Sequence, residues 1–250
     1  MNILRRVVRC NRAASAWVAR HMPKVFANPD PGYRATLLKR IALDIDTTDG
    51  SKLILEAGGV DRPLLKLSPT YEFVGLDIDE RPECAQLYDR FIVQSIEQRL
   101  PVNPDIIISF TLLEHVPNNT SAIAEMFRAL KSGGRTHHYV PSKFHPYSLI
   151  LRAIGPRLQK HLIRILRPDA EDITGYPAFF NLCSPQAMER AFLTAGFVDV
   201  DIKTFYRAND YFAFFTPLFI LVSLFENLCQ KLNLHIFSSG FVISASKPKE

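Results

Sequence analysis

Two acids, Glu56 and Asp77, stand about 20 residues apart, each closing a β-rich run: Lys52 to Glu56 and Tyr71 to Asp77. Glu56 opens the turn Glu56-Ala57-Gly58-Gly59-Val60, whose small residues let a ligand approach the backbone at the N-terminus of a following helix. Asp77, in Gly75-Leu76-Asp77-Ile78-Asp79, falls at the carboxyl edge of the next strand, where a carboxylate can accept hydrogen bonds from both hydroxyls of a ribose. The same residues also suit a tight turn and a helix N-cap. Glu114 and His115 are the types used in acid–base chemistry. Neighbours on a helix do not face each other, which points to a structural or pocket-edge role for this pair. A histidine cluster lies in Thr136-His137-His138-Tyr139-Val140-Pro141-Ser142-Lys143-Phe144-His145. Strand alternation puts His137 and Tyr139 on one face and His138 on the other, with His145 in the loop at the strand's carboxyl end. No carboxylate accompanies these histidines locally, so no metal site is expected.

The elements that position these residues alternate between short β-rich runs and helical patterns from Lys52 onward, the mark of a mostly parallel sheet covered on both faces. Strands are predicted at 52–56, 71–77, 91–93, 105–110, 135–140, 197–204 and 240–246, with Ile106, Ile107 and Ile108 forming a run buried on both sides. A helix from Asn119 to Lys131 has apolar Ile123, Met126, Phe127 and Leu130 on one face and Gly133 as its stop. Another runs from Pro185 to Ala195, with Ser184 as N-cap and Gly196 as C-terminal cap.

Taken together, Leu55-Glu56-Ala57-Gly58-Gly59, Val74-Gly75-Leu76-Asp77-Ile78-Asp79, Asp105-Ile106-Ile107-Ile108-Ser109 with Leu113-Glu114-His115-Val116, and Leu130-Lys131-Ser132-Gly133-Gly134-Arg135 occur in the order and spacing of a known family. The sequence resembles the class I S-adenosylmethionine (SAM)-dependent methyltransferases, in the small-molecule branch often called type 11. The resemblance covers about Leu53 to Val140. It implies an α/β, Rossmann-like, mostly parallel seven-stranded sheet with helices on both faces, and SAM as cofactor. It further implies that Glu56, Ala57, Gly58 and Gly59 line the methionine end of SAM and that Asp77 binds its ribose. By the same resemblance Ile78 and Ile96 pack against the adenine, Ser95 takes the position of an acid that often reaches the adenine amine, and Ser109, Phe110 and Thr111 lie between cofactor and acceptor. Two positions depart from the pattern: Val60 replaces a glycine and Ser95 replaces the acid. Val60 is not expected to adopt positive φ, so the turn is expected to differ.

The implied reaction is methyl transfer by direct displacement to an oxygen of a small-molecule or lipid- or glycan-linked acceptor, with His145 as candidate general base or else a solvent-exposed loop histidine. The alternative is a non-catalytic scaffold or assembly factor on the same fold, motivated by Val60 and Ser95.

The chain has 250 residues, a 47% hydrophobic fraction and a net charge of +5, material for one large domain or two small ones. We read 1–50 as a basic N-terminal helical region packing on a methyltransferase domain over 51–250, with a helical insertion at 205–239. Cys10, Cys84, Cys183 and Cys229 have neither zinc nor disulfide spacing, which favours free thiols and a reducing, cytoplasmic compartment. Residues 1–29 carry Arg5, Arg6, Arg9, Arg12, Arg20 and Lys24 with no acid, and a second acid-free stretch, 131–168, holds Arg152, Arg157, Lys160, Arg164 and Arg167. Such charge suits a solvated helix face, a transit peptide or an anionic membrane surface; nucleic acid is not the expected partner. Tyr211 to Phe225 is the most apolar run, too short and too interrupted by Pro217 to span a bilayer. It is read either as a lid over the acceptor or as a membrane-interface element that would suit a lipid-linked acceptor, with Phe219 and Leu221 facing lipid.

Overall fold

The computed structural model describes residues 3–28, 31–46, 51–166 and 176–249. Seven strands form one sheet: β1 (Lys52–Ala57), β2 (Tyr71–Asp77), β3 (Arg90–Val93), β4 (Ile106–Phe110), β5 (Arg135–Pro141), β6 (Val198–Phe205) and β7 (Gly240–Ser246), in the order β3-β2-β1-β4-β5-β7-β6. The pairs from β3 through β5 are parallel. Hydrogen bonds from Lys247 N to Gly134 O and from Ser142 N to Ser239 O flank the two ends of β7 and show that it runs antiparallel to β5. The helices are α1 (Ile3–His21), α2 (Pro23–Phe26), α3 (Tyr33–Asp46), α4 (Cys84–Leu87), α5 (Asn119–Ala129), α6 (Pro146–Leu166), α7 (Pro185–Ala195) and α8 (Thr216–Lys231).

Local chemistry explains most of these boundaries. The unbroken Ile106-Ile107-Ile108 run is fully enclosed in β4, between β1 and β5, as a strand covered on both faces requires. α5 buries Ala122, Ile123, Met126 and Ala129 on one face, and the Asn118 side chain caps it by accepting from Ser121 N at 3.2 Å. α7 ends at Gly196, whose φ of 104° closes the helix in the left-handed conformation, but the Ser184 side chain makes no capping hydrogen bond.

One expected element is missing. No helix follows β1; residues 58–70 form turns. In a helix the Leu64 N–H would bond the carbonyl of Val60, but here it donates to both carboxylate oxygens of Glu56, at 2.9 and 3.0 Å. Pro63 supplies no donor of its own, so the segment has little to sustain an intrahelical ladder.

The chain divides into two compact units. The sheet unit comprises Tyr33–Pro141, Phe179–Lys203 and Phe241–Glu250, so α3 groups with the sheet rather than with α1 and α2. There α3 is tied to β5 through Asp44, which binds Nε2 of buried His137 at 2.7 Å and Nε of Arg135 at 3.1 Å. The helical unit comprises Met1–Gly32, Ser142–Ala178 and Thr204–Gly240. Within it, Ser15 of α1 donates to Ala213 O at 3.2 Å, and Asn11 Oδ1 accepts from Thr216 N at 3.0 Å, fixing α1 against the start of α8. Arg167, counted in the second basic stretch, lies outside the described residues. Among the described residues no helix is long and apolar enough to cross a membrane. All four cysteines are free thiols, with only Cys10 exposed.

Candidate active site

Strand register decides which residues meet. Ala57 pairs with Leu76 on one side and Ser109 on the other; Asp77 pairs with Val93, Ser109 with His138, and Phe110 with Tyr139. Glu56 to Gly59, Asp77, and Ser109 to Thr111 therefore end side by side at the carboxyl edge of the sheet, where open α/β sheets bind ligands.

Glu56 is buried, and desolvation pushes its carboxyl pKa up to about 8 against the smaller opposing pull of the Leu64 N–H and the Arg34 charge. Beside it the hydroxyl of buried Tyr88 has no hydrogen-bond partner among the described residues. Burial also raises the Asp77 carboxyl, although the Asp79 N–H donates to its Oδ1 at 3.0 Å. Next to Asp77, the Ile78 side chain is 64% exposed, an apolar surface beside an acid, whereas Ile96 is buried. Ser95 bonds Glu97: its hydroxyl donates to Oε2 and accepts from the Glu97 N–H, both at 3.2 Å. A carboxylate thus lies against Ser95, and the other oxygen of Glu97 accepts from Asn118 N at 2.9 Å.

At the end of β4, buried Ser109 bonds Nδ1 of His138 at 2.7 Å, and burial lowers the His138 pKa to about 3, so that ring is neutral. Thr111 adopts a φ of 54°, and its N–H donates to Tyr139 O of β5 at 3.1 Å. Phe110 stacks with Tyr139, ring centroids 5.2 Å apart, and Tyr33 of α3 stacks on Tyr139 at 4.2 Å. The Arg34 guanidinium lies 5.4 Å from the Phe110 ring centre. Tyr33, Arg34, Tyr88 and Glu97 were not reached from the sequence. Only Glu97 left a signal there, as the acid next to the Ser95 position.

Glu114 is buried with its pKa raised by desolvation to about 8, and its backbone carbonyl accepts from Phe179 N and Phe180 N at 2.8 and 3.0 Å. Its carboxyl approaches His115 only to 3.8 Å, so the pair is a structural corner. His145 departs furthest from expectation. It is fully buried in the helical unit, its Nδ1 accepts from Tyr147 N at 3.3 Å and its Nε2 faces Glu226 Oε1 at 3.2 Å. With both nitrogens engaged, the ring has no lone pair for an acceptor's proton; it is neither a loop histidine in solvent nor placed as a base.

Residues 57–137 match the family model described as a methyltransferase domain. Over those residues the chain carries a methyltransferase domain, in keeping with the class I SAM-dependent fold. Solved structures share that fold at low identity. The phosphoethanolamine N-methyltransferase 2 of Haemonchus contortus, in complex with SAM, is 12% identical with a TM-score of 0.52, over 95% of this chain and 57% of that one. The CurJ carbon methyltransferase is 14% identical with a TM-score of 0.54, over 87% and 54%. A SAM-dependent methyltransferase from Archaeoglobus fulgidus is 16% identical with a TM-score of 0.51, over 91% and 98%. The chain spans little more than half the length of the first two. No curated protein matches it.

The residues at this sheet edge fit SAM. The Glu56 carboxyl, held mostly protonated by burial, would ionise against a cationic amino group; the Tyr88 hydroxyl beside it can take a further polar partner; Asp77 and exposed Ile78 offer an acid and an apolar face in sequence. Gly59 serves this packing. A Cβ there would lie 2.1 Å from the Tyr88 hydroxyl and 2.8 Å from Glu56 Oε1, so any side chain overpacks the turn. Gly59→Ala should lower stability by roughly 1–3 kcal/mol in a denaturant melt, and Tyr88→Phe in the same chain should recover part of the loss. Equal stability of Gly59→Ala and wild type would contradict the packing.

Val60 corrects an expectation. It does adopt positive φ, 42°, despite its branched Cβ. Strain of about 1–2 kcal/mol is outweighed by burying its side chain, worth roughly 1.5–3 kcal/mol. Val60→Gly should therefore cost about 1 kcal/mol of stability while leaving SAM affinity equal or better, by calorimetry. A tenfold loss of affinity would show that the valine itself packs on the cofactor.

Proposed function

We propose that this methyltransferase moves the methyl group of SAM to a hydroxyl oxygen of a small acceptor that is apolar or lipid-linked. What carries the reading is the strand register, which gathers Glu56, Asp77 and Ser109 to Thr111 along one carboxyl edge. SAM supplies an electrophilic methyl group on a sulfonium, and the protein's work is alignment and exclusion of water. Glu56 to Gly59 hold the methionine end, Asp77 accepts from the ribose hydroxyls, and Ile78 covers the adenine with Ile96 behind it. Ser95, with Glu97 bonded to it, faces the adenine amine. Phe110 and Thr111 face the acceptor, with Ser109 buried behind them against His138.

Arg34 favours an oxygen acceptor. Its guanidinium beside Phe110 repels a cationic amine and lowers the cost of deprotonating a hydroxyl. The stacked Tyr33, Tyr139 and Phe110 rings suit an apolar acceptor body. Such an acceptor would be met at a membrane surface, which would make the enzyme peripheral to a membrane. Incubation with SAM labelled in its methyl group tests this: label should pass to phenols and alcohols bearing apolar chains, in alkali-stable ether linkage. Label found only in amines would refute the oxygen assignment.

A further inference from the structure

We propose that α1 is an anchor helix that docks the helical unit on an anionic bilayer surface. This rests on the reading of a membrane-borne acceptor and names the element, the face and the lipid charge. At helical spacing, Ile3, Val7, Cys10, Ala14 and Trp17 recur every three or four residues and form one stripe. The stripe is not the face that packs. Val8, Asn11 and Ser15 make the inward seam, where Ser15 and Asn11 bond Ala213 and Thr216. Ile3 is 81% exposed, Val7 49% and Trp17 60%, so the stripe is a continuous apolar face left open, the kind of patch that marks an interaction surface. His21, one turn beyond Trp17, stacks on its indole with ring centroids 4.2 Å apart and extends the stripe with an amphipathic tip.

Charge selects the occupant. Arg6 and Arg20 lie exposed beside the Trp17 edge of the apolar stripe, away from the packed seam, and no acid occurs in α1. A helix with an apolar stripe bordered by arginines, ending in tryptophan, is built to lie in a lipid interface with its cations at the phosphates. The expected lipid face of α8 is also revised. Phe219 is buried against Phe26, ring centroids 5.8 Å apart, while Leu221, Leu224 and Leu228 are exposed.

Flotation of the purified full chain with vesicles tests the anchor. It should rise with phosphatidylcholine vesicles containing phosphatidylglycerol, less so in high salt, and stay down with phosphatidylcholine alone. Arg6→Gln with Arg20→Gln should weaken partitioning about tenfold or more, and Val7→Gln with Trp17→Gln likewise. All these side chains are exposed, so SAM affinity and thermal stability should not move. Wild-type protein that stays down with anionic vesicles at low salt overturns the proposal. So does flotation that survives both α1 variants and is lost only in Leu221→Gln with Leu224→Gln and Leu228→Gln. Flotation needs neither SAM nor an acceptor, so it stands or falls separately from the methyl-transfer reading.

Discussion

Replacing Glu226 by alanine should cost about 3–5 kcal/mol, the largest single effect expected in the molecule. Glu226 is fully buried in α8, where its Oε1 accepts from Ala208 N at 2.8 Å and faces His145 Nε2 at 3.2 Å, while its Oε2 lies 3.3 Å from Arg207 Nη1. Arg207 is itself nearly buried and is held further by Ser223 O at 3.3 Å and Asn227 Oδ1 at 2.6 Å. Removing the carboxylate leaves a guanidinium, a backbone N–H and an imidazole without their shared acceptor, in surroundings where water cannot replace it. Glu226→Gln keeps the shape and one acceptor oxygen, so it should cost clearly less. Hydrogen exchange of α8 amides against denaturant reads the effect within the helical unit itself; a loss below about 1 kcal/mol for the alanine variant would mean the network adds little to stability.

Asp77→Ala should weaken SAM and S-adenosylhomocysteine alike, by about 1.5–3 kcal/mol, or roughly ten- to hundredfold. The carboxylate is already half-buried with its pKa raised by desolvation, so much of the cost of removing it from water is met before any ligand arrives. Two ribose donors then gain a charged acceptor whose position is fixed by the Asp79 N–H. Asp77→Asn should fall between wild type and alanine. A loss confined to SAM and absent for S-adenosylhomocysteine would place Asp77 near the sulfonium instead of the ribose.

The sheet was legible because its strands announce themselves: the Ile106-Ile107-Ile108 run reads as a strand buried on both faces, and β2 and β7 appear at the residues expected. The turn after β1 was legible as a turn at the sheet edge but not in its shape. Its missing helix depends on the Leu64 N–H choosing the Glu56 carboxylate, and Val60's positive φ depends on its burial, both tertiary choices that local pattern does not carry. His145 misled for a related reason. A histidine after a strand reads as an exposed edge residue until a helix 81 residues later supplies Glu226 to bury it. Tyr33 and Arg34 stood outside every motif, and only the packing of α3 on β5 brings them to Phe110 and Tyr139.

Calorimetric titration of the purified full chain with SAM, alongside Asp77→Ala, tests the central claim most directly. A saturable one-to-one isotherm for wild type, displaced by S-adenosylhomocysteine and weakened at least about tenfold in Asp77→Ala, is the predicted result. A folded wild-type chain that gives no binding isotherm with either ligand would contradict the methyltransferase assignment of this sheet edge and leave the scaffold alternative in its place.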